Sequence, residues 1–152
     1  RGFDAETMWE AVKHGANAVH PQVSSTGRLG FEYYNKLGYV PYHVKINENV
    51  ARTLEYAYDD WCIYRFGKAL GKSDKELKQY RTNAMNYKNV FDSSTSLMRG
   101  RKADGSFESP FDPTAWSRSF TVCVPRSAGT YRSDGRQTEV QQHARLGVRG
   151  LS

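Results

Sequence analysis

The stretch between Asn47 and Gly71 limits the fold of this chain more than any other part of its sequence. Asn47 or Asn49 can cap a helix that begins near Glu48, and Gly71 can end it after Leu70. At about 100° per residue, its apolar side chains fall on two nearly opposite sides. One side consists of Val50, Leu54, Ala57, Tyr58 and Trp61, and the other of Ile63, Phe66 and Leu70. Such a helix is buried between two layers, which predicts an all-α double layer.

Three carboxylates interrupt this helix, at Glu55, Asp59 and Asp60. Helical geometry projects Glu55 and Asp59 from one part of the surface and Asp60 from another. Burying an unpaired carboxylate costs several kcal/mol, so each needs compensation. In a structural interpretation they cap helices, bond Tyr hydroxyls or pair with an Arg such as Arg65, Arg99 or Arg101. In a functional one they face a polar pocket at the mouth of a helical barrel and either bind sugar hydroxyls or tune a catalytic acid. The residues alone leave both interpretations open.

Two shorter helices are predicted before the long one. Asp4 can cap a helix that runs to about His14, with Gly15 beyond its end. Its buried stripe would consist of Met8, Ala11 and Val12. The segment 16–41 is rich in Gly, Ser and Asn and carries an aromatic cluster, which predicts an ordered loop with a short helix near residues 30–36.

A capping box marks the start of a further helix, since the Ser73 hydroxyl and the Glu76 carboxylate can each bind a backbone amide. Apolar residues then recur at spacings of three and four as far as Phe91. A buried helix followed closely by a one-sided helix is the inner-then-outer pair of an α/α toroid, although a helical hairpin bundle gives the same pattern. Farther on, Asp104-Gly105 between two short runs predicts a type I′ β-hairpin.

Charge and cysteine usage exclude several classes of protein. The formal net charge of +6 is divided equally between residues 1–121, where acids are interspersed with the bases, and residues 122–152. That distribution predicts no nucleic-acid partner. Cys62 and Cys123 are isolated and the histidines form no ligand spacing, so no metal site is predicted. We also expect no targeting segment and no membrane span, because no apolar run approaches the required length.

Two longer runs carry a resemblance to a known family. They read GYVPYHVKINENVARTLEYAYDDWCIYRFGKALGK and, farther along, YKNVFDSSTSLMRGRKADGSFESPFDP. Nearly all of residues 1–121 resembles glycoside hydrolase family 92, the calcium-dependent, inverting exo-α-mannosidases. The resemblance implies an incomplete segment of an (α/α)6 catalytic domain, with a short β-hairpin. It also implies α-mannoside glycans such as N-glycans as partners, Ca2+ as the cofactor of the full-length enzymes, and a periplasmic or secreted location.

The resemblance to the sequence motifs of the family ends in the last part of the chain. In these enzymes the segment after PFDP continues into a T-E-G-x-A-W motif, whose Glu is the general acid. Here Phe120-Thr121 is followed by Val122-Cys123-Val124-Pro125, and the later GNEPSH-like and GNDD-like stretches are absent. Residues 122–152 contain no Lys and show no helical periodicity. We therefore expect residues 122–152 to be an atypical basic tail, frameshifted or disordered, and the chain to have no catalytic residue, no bound calcium and no activity alone.

By resemblance, five residues support the active-site rim or bind substrate: Glu55, Asp59, Asp60, Trp61 and Arg101. Glu55 and Asp59 leave the same helix surface, so they cannot flank a glycosidic bond as an acid and base pair. An alternative hypothesis is a non-catalytic helical module that binds glycan or protein through the aromatic loop at residues 31–42. Nucleic-acid binding by the basic tail is a third hypothesis, which steep salt dependence would reveal.

Overall fold

The computed structural model describes residues 2–23, 26–110 and 112 of the 152-residue chain. This part is mostly helical, with one short antiparallel strand pair. Its helices are α1 (Ala5–Ala16), α2 (Phe31–Leu37), α3 (Asn49–Ala69) and α4 (Asp74–Asn83), followed by the 3₁₀ helix Asn86–Val90. Strands β1 (Phe91–Asp92) and β2 (Leu97–Met98) pair with Phe91 opposite Met98. The expected tail at 122–152 lies outside the described residues.

The long helix α3 is the central element, because α1, α4 and the 3₁₀ helix all pack against it. Its N-cap is Glu48, which has a left-handed backbone (φ 54°) and makes no side-chain capping bond. The expected cap at Asn47 or Asn49 is therefore wrong, since the chain enters α3 through a tight turn and not through an extended cap. The predicted end is confirmed: Gly71 is left-handed (φ 74°), and the Lys72 amide donates to the Gly67 carbonyl at 2.9 Å.

The buried side of α3 differs from the two apolar sides expected from the sequence. It consists of Asn49, Val50, Thr53, Tyr56, Ala57, Asp60, Ile63 and Gly67. Thr53 can lie in the core because its hydroxyl donates to the Asn49 carbonyl (2.8 Å) and accepts from the Val40 amide (3.0 Å). Tyr58, expected to be buried, is 38% exposed, and Trp61 is half-buried. A prediction from hydrophobicity alone therefore assigned the wrong buried side of α3, because polar groups with partners inside the protein occupy core positions.

Apolar clusters surround α3 along its length. Near its C-terminal half, Ile63 packs in a cluster with Trp9 and Leu77. Near its N-terminal half, one cluster contains Val50 and another contains Tyr56. The expectation that α3 is an inner helix is confirmed by this packing, although its outward side is not apolar.

The first helix is anchored by Trp9, which is fully buried. Its ring makes edge contacts with Phe66 and Tyr80, both at 6.1 Å between centroids, and its Nε1 donates to Glu76 at 3.1 Å. Met8, which the sequence placed in the buried stripe, is 43% exposed. The helix also continues through the expected terminator at Gly15. The predicted Asp4 cap is confirmed, because the Asp4 carboxylate accepts from the Glu6 and Thr7 amides.

The predicted helix after Ser73 begins correctly but ends early. The Ser73 hydroxyl accepts from the Glu76 amide (3.3 Å), whereas α4 ends at Asn83 and the chain tightens into the 3₁₀ helix. A turn does lie at Asp104-Gly105, closed by a bond from the Gly105 amide to the Lys102 carbonyl (2.9 Å). Gly105 is left-handed (φ 90°) but Asp104 is not, so the predicted type I′ geometry is wrong.

Candidate functional site

The carboxylate of Asp60 is completely buried, and its partners include Arg28 and Tyr34. Arg28 Nη1 donates to Asp60 Oδ1 at 2.8 Å, and the Tyr34 hydroxyl donates to Asp60 Oδ2 at 3.1 Å. Burial raises the pKa of Asp60, whereas the Arg28 charge and these hydrogen bonds oppose that rise. Both oxygens are thus occupied inside the protein. Asp60 is therefore enclosed by protein groups and not exposed to solvent.

Arg28 is itself almost fully enclosed, with 4% of its surface exposed. The Tyr34 and Tyr56 rings lie 5.8 and 5.2 Å from its guanidinium carbon, and its Nη2 donates to the Tyr56 carbonyl at 3.3 Å. The Arg28 amide donates to the Ala18 carbonyl at 2.9 Å, which fixes the loop. Gly27 precedes it with φ 85°, and a Cβ there would collide with that same Ala18 carbonyl. The glycine therefore allows the turn that directs Arg28 toward α3.

The adjacent Asp59 has a different environment. Its side chain is 53% exposed, and its Oδ2 lies 3.8 Å from Arg28 Nη2. Partial burial raises the pKa of Asp59, and the Arg28 charge opposes the rise. Asp59 is therefore the member of the Asp59-Asp60 pair that an external ligand can reach.

The remaining predicted residues of α3 lie along its outward side. Glu55 is exposed, and it shares this side with Tyr58 and Asp59 at spacings of three and four. Trp61 lies beside them, stacked on Tyr58 with ring centroids 6.0 Å apart and planes at 22°. Acidic and aromatic groups thus occur together on this surface.

Arg101 supports a different part of the structure. Its Nε donates to the Gly105 carbonyl (2.6 Å) and its Nη1 to the Asn89 carbonyl (3.1 Å). Its guanidinium also lies 5.4 Å from both the Tyr39 and Phe107 rings. Through these backbone carbonyls and rings, Arg101 holds the turn after β2 against the 3₁₀ helix.

The sequence interpretation missed Arg28 as the cation that pairs with the acidic helix. It named Arg65, Arg99 and Arg101 as candidates, but Arg99 pairs with Asp92 (2.6 Å), and the Arg65 guanidinium lies 5.6 Å from the Trp61 ring. Arg28 lies in a loop whose sequence shows no hydrophobic periodicity. The only sequence signal was the requirement that a buried Asp have a cation nearby.

The described residues do not contain a calcium site of the usual kind. Within 2–23, 26–110 and 112, no three His, Cys, Asp or Glu side chains group together to hold a metal ion. The donor set of the described residues therefore does not fit calcium. In the same residues, no helix is long and apolar enough to cross a membrane.

Helices pack around the acidic inner helix α3, whose outward side carries the stacked rings of Tyr58 and Trp61. A family model described as the glycosyl hydrolase family 92 catalytic domain matches residues 1–151. The chain belongs to glycoside hydrolase family 92, and its fold is a partial (α/α)6 toroid. The resemblance seen in the sequence is thereby confirmed. The family match crosses residue 121, and the predicted division there stays a prediction.

Similar proteins include two solved mannosidases of Bacteroides thetaiotaomicron. The family GH92 inverting mannosidase BT2199 is 46% identical, with 76% of this chain and 16% of that chain covered and a TM-score of 0.69. The α-mannosidase BT3965, in complex with mannoimidazole, is 36% identical over 74% of this chain and 14% of that one, with a TM-score of 0.61.

A curated relative is similar over a comparable part of the chain. An uncharacterized secreted glycosidase of Arthroderma benhamiae is 31% identical over 119 residues, which cover 73% of this chain and 15% of that protein. The chain therefore spans less than a fifth of the length of each of these relatives.

Proposed function

We propose that this chain is a segment of an inverting α-mannosidase that acts on α-mannosides such as those of N-glycans. Membership of family 92 is the observation that carries the proposal. The similar Bacteroides structures, one an inverting mannosidase and one an α-mannosidase bound to mannoimidazole, support the substrate class and the stereochemistry. We further propose a periplasmic or secreted location, in line with the curated relative's name.

The segment alone is proposed to be inactive. An inverting glycosidase needs a general acid and a general base roughly 6.5 to 9.5 Å apart on opposite sides of the scissile bond. Glu55 and Asp59 leave the same side of α3, and Asp60 is enclosed by Arg28 and Tyr34. None of the three is therefore assigned as acid or base. The T-E-G-x-A-W motif of the family is absent from the sequence after Thr121.

Asp59 is the residue to which we assign direct contact with sugar. An ionised carboxylate accepts hydrogen bonds from hydroxyls strongly, and half of this side chain is open to solvent. Trp61 and Tyr58 offer ring faces beside it, and Glu55 extends the acidic surface by one helical turn. Asp60 and Arg101 act as supports, because their partners lie inside the protein.

Hydrolysis of a chromogenic α-mannoside tests the proposal. With calcium added, the purified 152-residue chain is expected to give no turnover above a buffer blank, and the Bacteroides inverting mannosidase serves as the positive control. Turnover by the chain that survives further purification and disappears in Asp59→Asn would overturn the assignment of inactivity. Sequencing the nucleotides around codon 121 tests the cause, because a frameshift predicts a TEG-like continuation in another frame.

A non-catalytic glycan-binding module is the second candidate, and the exposed carboxylate and rings of α3 favour it. The loop at residues 31–42, expected to be its binding surface, is less suited. Tyr34, Tyr39 and Val40 of that loop are buried, and Tyr33 is its large exposed apolar residue at 39%. Titration of methyl α-mannoside with the resonances of α3 and this loop assigned distinguishes the two surfaces. Binding that shifts α3 and not residues 31–42 agrees with the present assignment.

A further inference from the structure

A single guanidinium lies behind two neighbouring carboxylates of α3, and the two contacts are unequal. Arg28 makes a hydrogen-bonded ion pair with the buried Asp60 (2.8 Å) and a looser contact with the half-exposed Asp59 (3.8 Å). We propose that Arg28 is a positioning residue, which orients the Asp59 carboxylate that receives the hydroxyls of an α-mannoside. This inference rests on the proposed function, since it explains how Asp59 would perform that role.

Arg28 cannot contact the sugar itself. It is 4% exposed, two tyrosine rings flank its guanidinium, and its Nη2 is also bonded to the Tyr56 carbonyl. Any influence on a ligand must therefore pass through a neighbouring group. Asp59 is the neighbour that touches Arg28 on one side and solvent on the other.

Several contacts hold the Arg28 guanidinium in place, so its position relative to Asp59 is fixed. Asp60 holds Nη1, and the other Asp60 oxygen is bound by Tyr34, so neither group of this ion pair has an alternative arrangement close by. A side chain held at several points loses little further freedom when a ligand binds nearby. Arg28 therefore contacts Asp59 from a rigid position, while 53% of the Asp59 side chain remains exposed.

The charge of Arg28 has a measurable effect on the pKa of Asp59. In the described part of the chain, the charged or titratable groups around Asp59 include Arg28, Asp60, Tyr58, Glu55 one turn earlier and Cys62 almost one turn later. Arg28 is the cation among them, and it lowers the pKa of Asp59 against the rise caused by burial. An ionised carboxylate forms charge-assisted bonds with hydroxyls, which are stronger than those of its neutral form.

The experiment uses Arg28→Lys in the complete chain, with Arg65→Lys as the matched control. Lysine can keep a charge beside Asp60 but cannot bridge to Asp59, because it presents one compact ammonium in place of a fork. Carboxyl 13C NMR without ligand should show the Asp59 titration midpoint rising by about 0.5 pH unit in Arg28→Lys. The midpoint should stay unchanged in Arg65→Lys, since Arg65 lies against Trp61.

Binding then tests the link to the sugar. The dissociation constant of methyl α-mannoside, measured by NMR titration, should increase about fivefold in Arg28→Lys. The same substitution made in an Asp59→Asn background should change it by less than about twofold, because coupled residues are not additive. A purely structural role for Arg28 would lower thermal stability and weaken binding equally in both backgrounds.

The two proposals fail in different ways. An unchanged Asp59 midpoint in folded Arg28→Lys overturns the positioning role, whether or not mannoside binds. A shifted midpoint without any mannoside binding in the parent chain supports the placement of Asp59 by Arg28 and overturns the proposed sugar contact. If Arg28→Lys does not fold, the Arg28 Nε resonance of the parent chain is followed during a pH titration. The inference requires this resonance to shift with the same midpoint as the Asp59 carboxyl. An Nε resonance that does not change at that midpoint refutes the inference.

Discussion

Replacing Asp60 by Asn tests how much the buried ion pair contributes to the fold. The substitution preserves the shape of the side chain but removes the charge that faces Arg28 at 2.8 Å. Arg28 would then be a cation with 4% exposure whose remaining partners are the Tyr56 carbonyl at 3.3 Å and Asp59 at 3.8 Å. Breaking a buried pair by removing one partner costs about 3–5 kcal/mol. Because Asp59 can take over part of the interaction, we expect a loss at the low end, near 3 kcal/mol.

Urea denaturation followed by circular dichroism measures this loss as a change in the free energy of unfolding. A domain of this size is stable by about 5–15 kcal/mol, so the variant should unfold at a clearly lower urea concentration. Asp59→Asn is the matched control, and its exposed carboxylate should cost less than about 1 kcal/mol. The reasoning is refuted if Asp60→Asn and Asp59→Asn prove equally stable. A double variant, Arg28→Met with Asp60→Leu, should recover much of the stability, because no unpaired charge remains.

Three further changes probe the packing and the strand pair. Trp9→Ala removes a fully buried ring and should cost about 3–5 kcal/mol in urea denaturation; a loss below about 1 kcal/mol would contradict its role as the anchor of α1. Gly67→Ala should destabilise by about 1–3 kcal/mol, because the new Cβ would lie 2.8 Å from the Trp9 ring, and an increase in thermal stability would refute this close approach. Bonds from Ser94 and Arg99 hold the pKa of Asp92 well below its usual value of 3.8. Since the folded pKa is the lower one, the stabilisation is present above about pH 4 and is lost as the pH falls below it. Urea midpoints at pH 6 and pH 3 should therefore differ less in Asp92→Asn than in the parent chain, and an equal difference would exclude this contribution.

Features set by neighbouring residues could be predicted from the sequence. The Asp4 and Ser73 caps and the Gly71 terminator follow from side chains that bond to amides or relieve strain within one turn. The prediction that Asp60 projects from a different side of α3 than Glu55 and Asp59 was also correct, since it depends only on helical geometry.

Features set by distant partners could not be predicted in this way. Asp60 is acceptable in the core only because Arg28 arrives from a loop 32 positions earlier, and no local pattern encodes that meeting. The same holds for Tyr56, whose hydroxyl donates to the Leu29 carbonyl at 3.1 Å, while the similar Tyr58 faces outward. A hydropathy pattern treats the two tyrosines alike, although their partners determine which one is buried.

The contacts that join the loop, α2, α3 and α4 are all made within a short length of polypeptide. Arg28 reaches Asp60 across 32 positions, and the Tyr34 hydroxyl reaches the Asn83 carbonyl across 49. Domains are synthesised from the N-terminus, and nearby contacts close faster than remote ones. On the ribosome, the section ending at Asn83 therefore contains Arg28, Tyr34 and Asp60 before later residues emerge. This network can therefore be in place before the segments that follow Asn83 assemble.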